Sequence, residues 1–179
     1  MIVIGFAGLP GSGKSTIIEA IKDLGQVITL GDVIRNEAKK RNLKPTDENL
    51  GKIAKELRVS GGQGVVAEKC VEWINEFDRE IIFIDGLRSM AEVNVFRKFW
   101  KFPVIAIILD EVLRFKRLSA RGRSDDPKTI KDLQERDKRE INFGINEVIE
   151  NSDWKFNNDL PLDKAIEEAK KLILEIINS

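Results

Sequence analysis

The sequence predicts an α/β fold: a doubly wound, three-layer sandwich with a parallel sheet between two layers of helix. Two observations carry this. Short β-branched apolar runs recur at residues 2–7, 27–30, 81–84 and 104–109. They are continuous rather than alternating, as strands covered on both faces must be. Helix-length amphipathic segments lie between them, which is the β-α-β order of a parallel sheet. A third observation agrees. Gly8, Gly31-Asp32, Asp85-Gly86 and Asp110-Glu111 follow the four runs, and open α/β sheets bind ligands at the carboxyl ends of their strands.

The elements follow in order. The first strand runs into a glycine-rich turn and then a helical stretch at 16–24. The second strand ends at Gly31-Asp32. Residues 32–78 are long for one crossover and hold two or three helices, which makes a small lobe. Gly25, Gly31, Gly51, Gly61, Gly62 and Gly64 mark turns or helix ends. The third and fourth strands follow. Trp154-Lys155-Phe156 alternates and reads as a fifth strand at an edge. In the last helix Ile166, Ala169, Leu172, Ile173 and Ile176 share one face, which packs on the core.

Composition excludes several functions. The chain has 179 residues, which suits one domain. Lys+Arg 30 and Asp+Glu 30 cancel, which argues against a general nucleic-acid or membrane-surface binder. The apolar runs are strand-sized, so no membrane span is expected, and Met1-Ile2-Val3-Ile4 lacks the basic start of a secretory leader. One cysteine, Cys70, cannot form an internal disulfide, so a cytoplasmic location is expected. Histidine and tyrosine are absent, which removes His-based triads and His-ligated zinc. Chemistry must run on Lys, Arg, Asp, Glu, Ser and Thr.

Gly8-Leu9-Pro10-Gly11-Ser12-Gly13-Lys14-Ser15 matches G-x-x-x-x-G-K-[ST] after a strand and before a helix. Glycines let successive N–H groups turn into one concavity, and the helix start adds unpaired donors and a positive dipole end. The expected ATP contacts are Gly8, Pro10, Gly11, Ser12, Gly13, Lys14, Ser15 and Thr16. Lys14 would reach the β- and γ-phosphates, and Ser15 would ligate Mg²⁺. Asp85, at a strand end, is placed either to hold Mg²⁺ through water or to cap a helix. The fold is then a P-loop NTPase sandwich with a five-stranded parallel sheet.

With this loop, the chain resembles the nucleoside monophosphate kinases, adenylate kinase most closely, and among those the archaeal adenylate-kinase-related proteins. Four further segments carry the likeness. Gly31-Asp32-Val33-Ile34-Arg35 is similar to the family's G-D-x-x-R, which implies that Arg35 grips the acceptor phosphate. Asp85-Gly86-Leu87-Arg88-Ser89 is similar to D-G-[FY]-P-R without the Pro, which gives Arg88 a phosphate contact. Arg114, Arg117, Arg121 and Arg123 form a basic row. Arg117 and Arg121 match the R-x-x-x-R that opens the family's lid and faces the donor nucleotide, which implies that Arg117 also contacts ATP. Arg123-Ser124-Asp125-Asp126 is similar to the R-x-D-D that closes it, and Arg136 matches a further lid-side arginine. Only Gly122 separates Arg121 from Arg123, so a short lid at 114–126 is expected, without the zinc cluster of some members.

The resemblance also implies an acceptor lobe at 32–78 in a single kinase domain spanning 1–179. Asp32, Leu57, Gly64, Val65, Val66 and Gly86 would line its site beside Arg35 and Arg88. Glu92 falls where the family places a Gln that reads adenine. A carboxylate only accepts, which admits GMP as a rival to AMP. The expected reaction is Mg-ATP plus a nucleoside monophosphate giving ADP and a nucleoside diphosphate, with Lys14, Arg88, Arg117, Arg121 and Arg123 as catalytic groups. Two other functions stay open. One is a kinase for a hydroxyl acceptor, similar to dephospho-coenzyme A kinase, with Asp32 as base. The other is an ATPase or nucleotide-dependent switch with a macromolecular partner.

Overall fold

A computed structural model describes residues 1–77, 79–123 and 126–179. Its elements are β1 (Ile2–Ala7), α1 (Lys14–Ile21), β2 (Gln26–Thr29), α2 (Leu30–Lys40), α3 (Asp47–Gly61), α4 (Val65–Ile74), β3 (Ile81–Asp85), α5 (Met90–Arg97), β4 (Val104–Ile108), α6 (Glu111–Arg121), α7 (Ile130–Phe143), α8 (Ile145–Glu150), β5 (Trp154–Asn157) and α9 (Leu162–Ile177). The sheet has the order β2-β3-β1-β4-β5, and every pairing is parallel. Ile2 pairs with Ile81 and Gly5 with Val104, which brings the carboxyl ends of β1, β3 and β4 together.

The continuous apolar runs have the cause expected of them. On one face, Val3, Ile82, Ile84 and Val104 pack beneath α2, α3, α4, α5 and α8. On the other, Ile4, Phe6, Phe83, Ile105 and Ile107 pack beneath α1 and α9. Alternate residues of each strand thus meet opposite helical layers. The stripe on α9 buries Ala169, Ile173 and Ile176, with Ala165 joining it and Ile166 and Leu172 at its margin. β5 lies at the sheet edge, as its alternation requires, and buries Phe156 alone.

One boundary departs from expectation. β2 ends at Thr29, and Leu30 begins α2. Thr29 Oγ1 accepts the Asp32 N–H at 3.0 Å, while Asp32 Oδ2 accepts the Thr29 N–H at 3.3 Å. This reciprocal capping box satisfies two N–H groups at the helix start. Gly31-Asp32 therefore lies in the first turn of α2 and does not form the strand-end loop. Among the described residues, the stretch between β2 and β3 holds three helices, α2, α3 and α4.

Candidate functional site

The loop after β1 opens into a cleft of about 790 Å³. The loop and the start of α1 form its floor. Gly86 to Arg88 from the end of β3, the exposed arginines of α6, and Asn158 beyond β5 form its walls. Gly11 and Gly13 take φ of +80° and +90°, the left-handed region open to glycine. A Cβ on Gly13 would also lie 2.1 Å from Asn158 Nδ2, so the position is closed to any side chain twice over. No side chain caps α1. Its first N–H groups and positive dipole end are left for an anion. Ser12 Oγ is buried in the loop without a partner.

Lys14 Nζ is ion-paired with Asp85 Oδ1, and both side chains are mostly buried. Ser89, not Asp85, caps α5, and its Oγ accepts the Glu92 N–H. Asp85 is thus turned to the loop rather than spent on a helix end. Among the described residues no group of His, Cys, Asp or Glu forms a ready metal cage. One carboxylate and one hydroxyl, Asp85 and Ser15, fit Mg²⁺, which keeps waters and takes further oxygens from phosphates.

The arginines divide. Arg88 leaves the end of β3 toward the cleft. Its Nε lies 3.4 Å from Glu140 Oε2, and its guanidinium lies 5.2 Å from the centre of the Phe143 ring. Arg117 Nη2 donates to the Asn158 carbonyl at 2.8 Å. Arg121 Nε donates to Asp126 Oδ2 at 3.0 Å, and a second Arg121 nitrogen bonds Oδ1. The same carboxylate accepts the Arg123 N–H at 2.9 Å. The Arg121 hydrogen bond holds the Asp126 carboxyl at a pKa of about 2, against an ordinary 3.8. Arg117, Arg121, Arg123 and Arg136 all line the cleft. Ser124 and Asp125, named in the segment that closes the expected lid, lie outside the described residues.

Arg114 does not share that open face. It is 4% exposed. Its two terminal nitrogens bond Asp137 of α7 at 2.9 and 2.5 Å, and Nη1 also donates to the Pro10 carbonyl at 3.0 Å. The reason is packing: the loop lies directly on this turn of α6, and a Cβ on Gly11 would meet the Arg114 carbonyl and Leu118 at 2.9 Å.

Apart from Gly86 and Arg88, which line the cleft, the residues expected at the acceptor side lie elsewhere. Arg35 is exposed on α2 and pairs with Asp32 Oδ1 at 2.6 Å. Leu57, Val65 and Val66 are buried in the core of the larger helical layer, and Gly64 starts α4 against Val95. None of these, nor Asp32, lines the cleft. Glu92 is 1% exposed, not on a free helix face. Its carboxylate accepts the Arg88 N–H at 2.8 Å and lies 3.6 Å from Arg58 Nη2. Burial pushes its pKa up, opposed by the bond from Arg88.

Two contributors escape a reading by motif. Asn158 joins the loop, α6 and β4, and Asp137 holds Arg114. A signal existed for Asn158, since Asn157-Asn158-Asp159 follows β5 as polar residues follow the other strands. Asp137 has none, because its partner lies across α6 and α7.

A parallel five-stranded sheet with this glycine loop between β1 and α1 defines a P-loop NTPase-like fold. The chain belongs to the AAA domain family, whose model matches residues 4–142, and to the UPF0200 family. It is 39% identical to a UPF0200 protein of Hyperthermus butylicus, over 96% of this chain and 93% of that one. It is 43% identical to one of Methanothermobacter thermautotrophicus, over 98% and 91%. A UPF0200/UPF0201 protein of Archaeoglobus fulgidus is 41% identical over 98% of this chain, which spans only 56% of that longer relative. Among solved structures, TT1252 from Thermus thermophilus shares the fold with a TM-score of 0.64 at 20% identity, over 97% of this chain and 96% of that one. Shikimate kinase from Bacteroides thetaiotaomicron shares it with a TM-score of 0.57 at 16% identity, over 99% of both chains.

Proposed function

We propose that this protein is a nucleotide kinase that moves the γ-phosphoryl group of Mg-ATP to a nucleoside monophosphate, AMP or GMP. The observation that carries the reading is the pairing of the Gly8–Thr16 loop and Lys14 with Arg88 in one cleft, flanked by Arg117, Arg121, Arg123 and Arg136. A triphosphate on the loop would place its γ-group among guanidinium groups, and Arg88 is the group set for a second anion.

The acceptor phosphate has a second pKa of about 6, so it is mostly dianionic at neutral pH and no base is required. An acceptor oxygen bonds to the γ-phosphorus while the bond to the β,γ-bridging oxygen breaks, and ADP leaves. Arg88 would orient the acceptor by charge-assisted hydrogen bonds. Lys14, Arg117, Arg121 and Arg123 would neutralise charge on the equatorial oxygens, an effect that for one arginine reaches roughly 10³ to 10⁵ in rate. Ser15 and Asp85 would hold Mg²⁺, which would supply further neutralisation of phosphate charge. Water must be kept out, or it takes the phosphoryl group. We assign that task to a short lid at 114–126, and acceptor binding to the helical lobe within 32–78, Arg35 included. The Glu92 carboxylate is engaged by the Arg88 amide, so selection between AMP and GMP rests on other groups of that lobe.

The hydroxyl-kinase reading loses support, because Asp32 is spent on the capping box and on Arg35 and does not line the cleft. The AAA domain match favours the ATPase or switch as the second reading. One experiment separates them. Purified protein with Mg-ATP is incubated with AMP, GMP, CMP, UMP or dephospho-coenzyme A, and products are resolved by chromatography. A nucleoside diphosphate formed in step with ADP is expected. ADP with no phosphorylated acceptor would establish the ATPase instead.

A further inference from the structure

We propose that Asn158 is a positioning residue of the phosphate loop, a side chain that holds the loop amides inward without touching the nucleotide. The inference rests on the loop binding a phosphate chain, as proposed above. Asn158 is 3% exposed. Its Nδ2 donates to the Ser12 carbonyl at 2.7 Å. Its own N–H donates to the Ile108 carbonyl at 2.9 Å, which fixes it to the end of β4. Its carbonyl accepts from Arg117 Nη2.

The geometry of the peptide unit gives this contact its consequence. In a trans peptide the C=O of one residue and the N–H of the next point in opposite directions. A donor that pins the Ser12 carbonyl to the outside of the loop therefore turns the Gly13 N–H to the inside. Amides can converge on an anion only if the intervening carbonyls turn away, and a buried carbonyl turned away needs a donor. Asn158 is that donor for Ser12. Arg114 Nη1 does the same for Pro10 and so sets the Gly11 N–H. The missing Cβ of Gly13 leaves room for the Asn158 amide itself. Loop and side chain are cut to one another. The loop is thereby formed before the nucleotide arrives, which spares the binding step the cost of ordering it.

The test compares Mg-ATP binding by calorimetry, and the KM for ATP and for the acceptor, in the unsubstituted protein, Asn158→Ala and Asn158→Asp. Asp keeps the size of the side chain but sets an oxygen against the Ser12 carbonyl. The Arg117 contact survives in both, because it uses the main chain. Both variants should bind Mg-ATP about tenfold or more weakly, the loss expected for one hydrogen bond to a buried partner. The KM for ATP should rise, and that for the acceptor should stay. A purely structural role would lower the melting temperature and leave the affinity of the folded molecules unchanged, which would overturn the proposal. Should neither variant fold, hydrogen exchange of the Asn158 side-chain amide in the unsubstituted protein decides. Slow exchange before ATP is added is expected, and exchange at the rate of a free side chain overturns it. Absence of ATP binding by the unsubstituted protein would instead remove the proposed function. Normal binding by all three proteins removes only the role of Asn158.

Discussion

Arg114 and Asp137 show how a charge serves the site without facing it. A bidentate pair this deeply buried gains little over an apolar pair of the same shape, but breaking it leaves one charge stranded. Asp137→Asn should therefore destabilise the fold by about 3–5 kcal/mol, measured by urea unfolding. A change near zero would show that Arg114 finds another partner. Asp126 makes a pH-dependent contribution. Its folded-state pKa of about 2 lies below the ordinary 3.8, so its stabilisation is complete above the ordinary value and is lost as pH falls through about 2. Asp126→Asn should lower the melting temperature at pH 7, and the gap should close between pH 4 and pH 2, traced by thermal melts. Cys70 is fully buried, and burial pushes its thiol up to about 12. It should resist thiol reagents at pH 7 until the chain is unfolded with denaturant.

The elements of the site are positioned by their ends. Thr29 and Thr129 each close a reciprocal box, with Asp32 and Asp132, at the starts of α2 and α7. Thr29→Ala should cost about 1 kcal/mol in chemical unfolding. The loop between β1 and α1 is more demanding. Gly13→Ala would meet both a left-handed φ and the Asn158 amide, and should abolish ATP binding in calorimetry while α/β secondary structure persists by circular dichroism. What can be read from the chain follows from range. The glycine loop and the ends of β1, β3 and β4 are local patterns, and each appears where the pattern puts it. The start of α2 was also written locally, as Thr29-x-x-Asp32, but the apolar Leu30 extends the run of β2 and hides it. Asn158 and Ser12 lie 146 positions apart, and Arg114 and Asp137 lie 23 apart. No spacing rule links such residues, because only the sheet order β2-β3-β1-β4-β5 and the docking of α6 and α7 bring them together.

Across the molecule, two helical layers bury both faces of the sheet and leave its carboxyl edge as the place where polar groups can gather. The loop supplies amides and an ammonium group there, and Arg88 enters from the neighbouring strand end. Glu140 and Phe143, at the end of α7, hold Arg88 over the cleft. Arg35, Leu57, Val65 and Val66 occupy the larger helical layer outside the cleft, since their side chains either pack its core or pair on its surface. Arg88 is therefore the main group of the proposed acceptor side. Calorimetric titration of Mg-ATP and of AMP or GMP into the protein and into Arg88→Ala tests it most directly. Two independent sites per chain are expected, with the substitution weakening the monophosphate by about tenfold or more and leaving ATP unchanged. Competition of both nucleotides for one site, or an equal loss of both in Arg88→Ala, would contradict it.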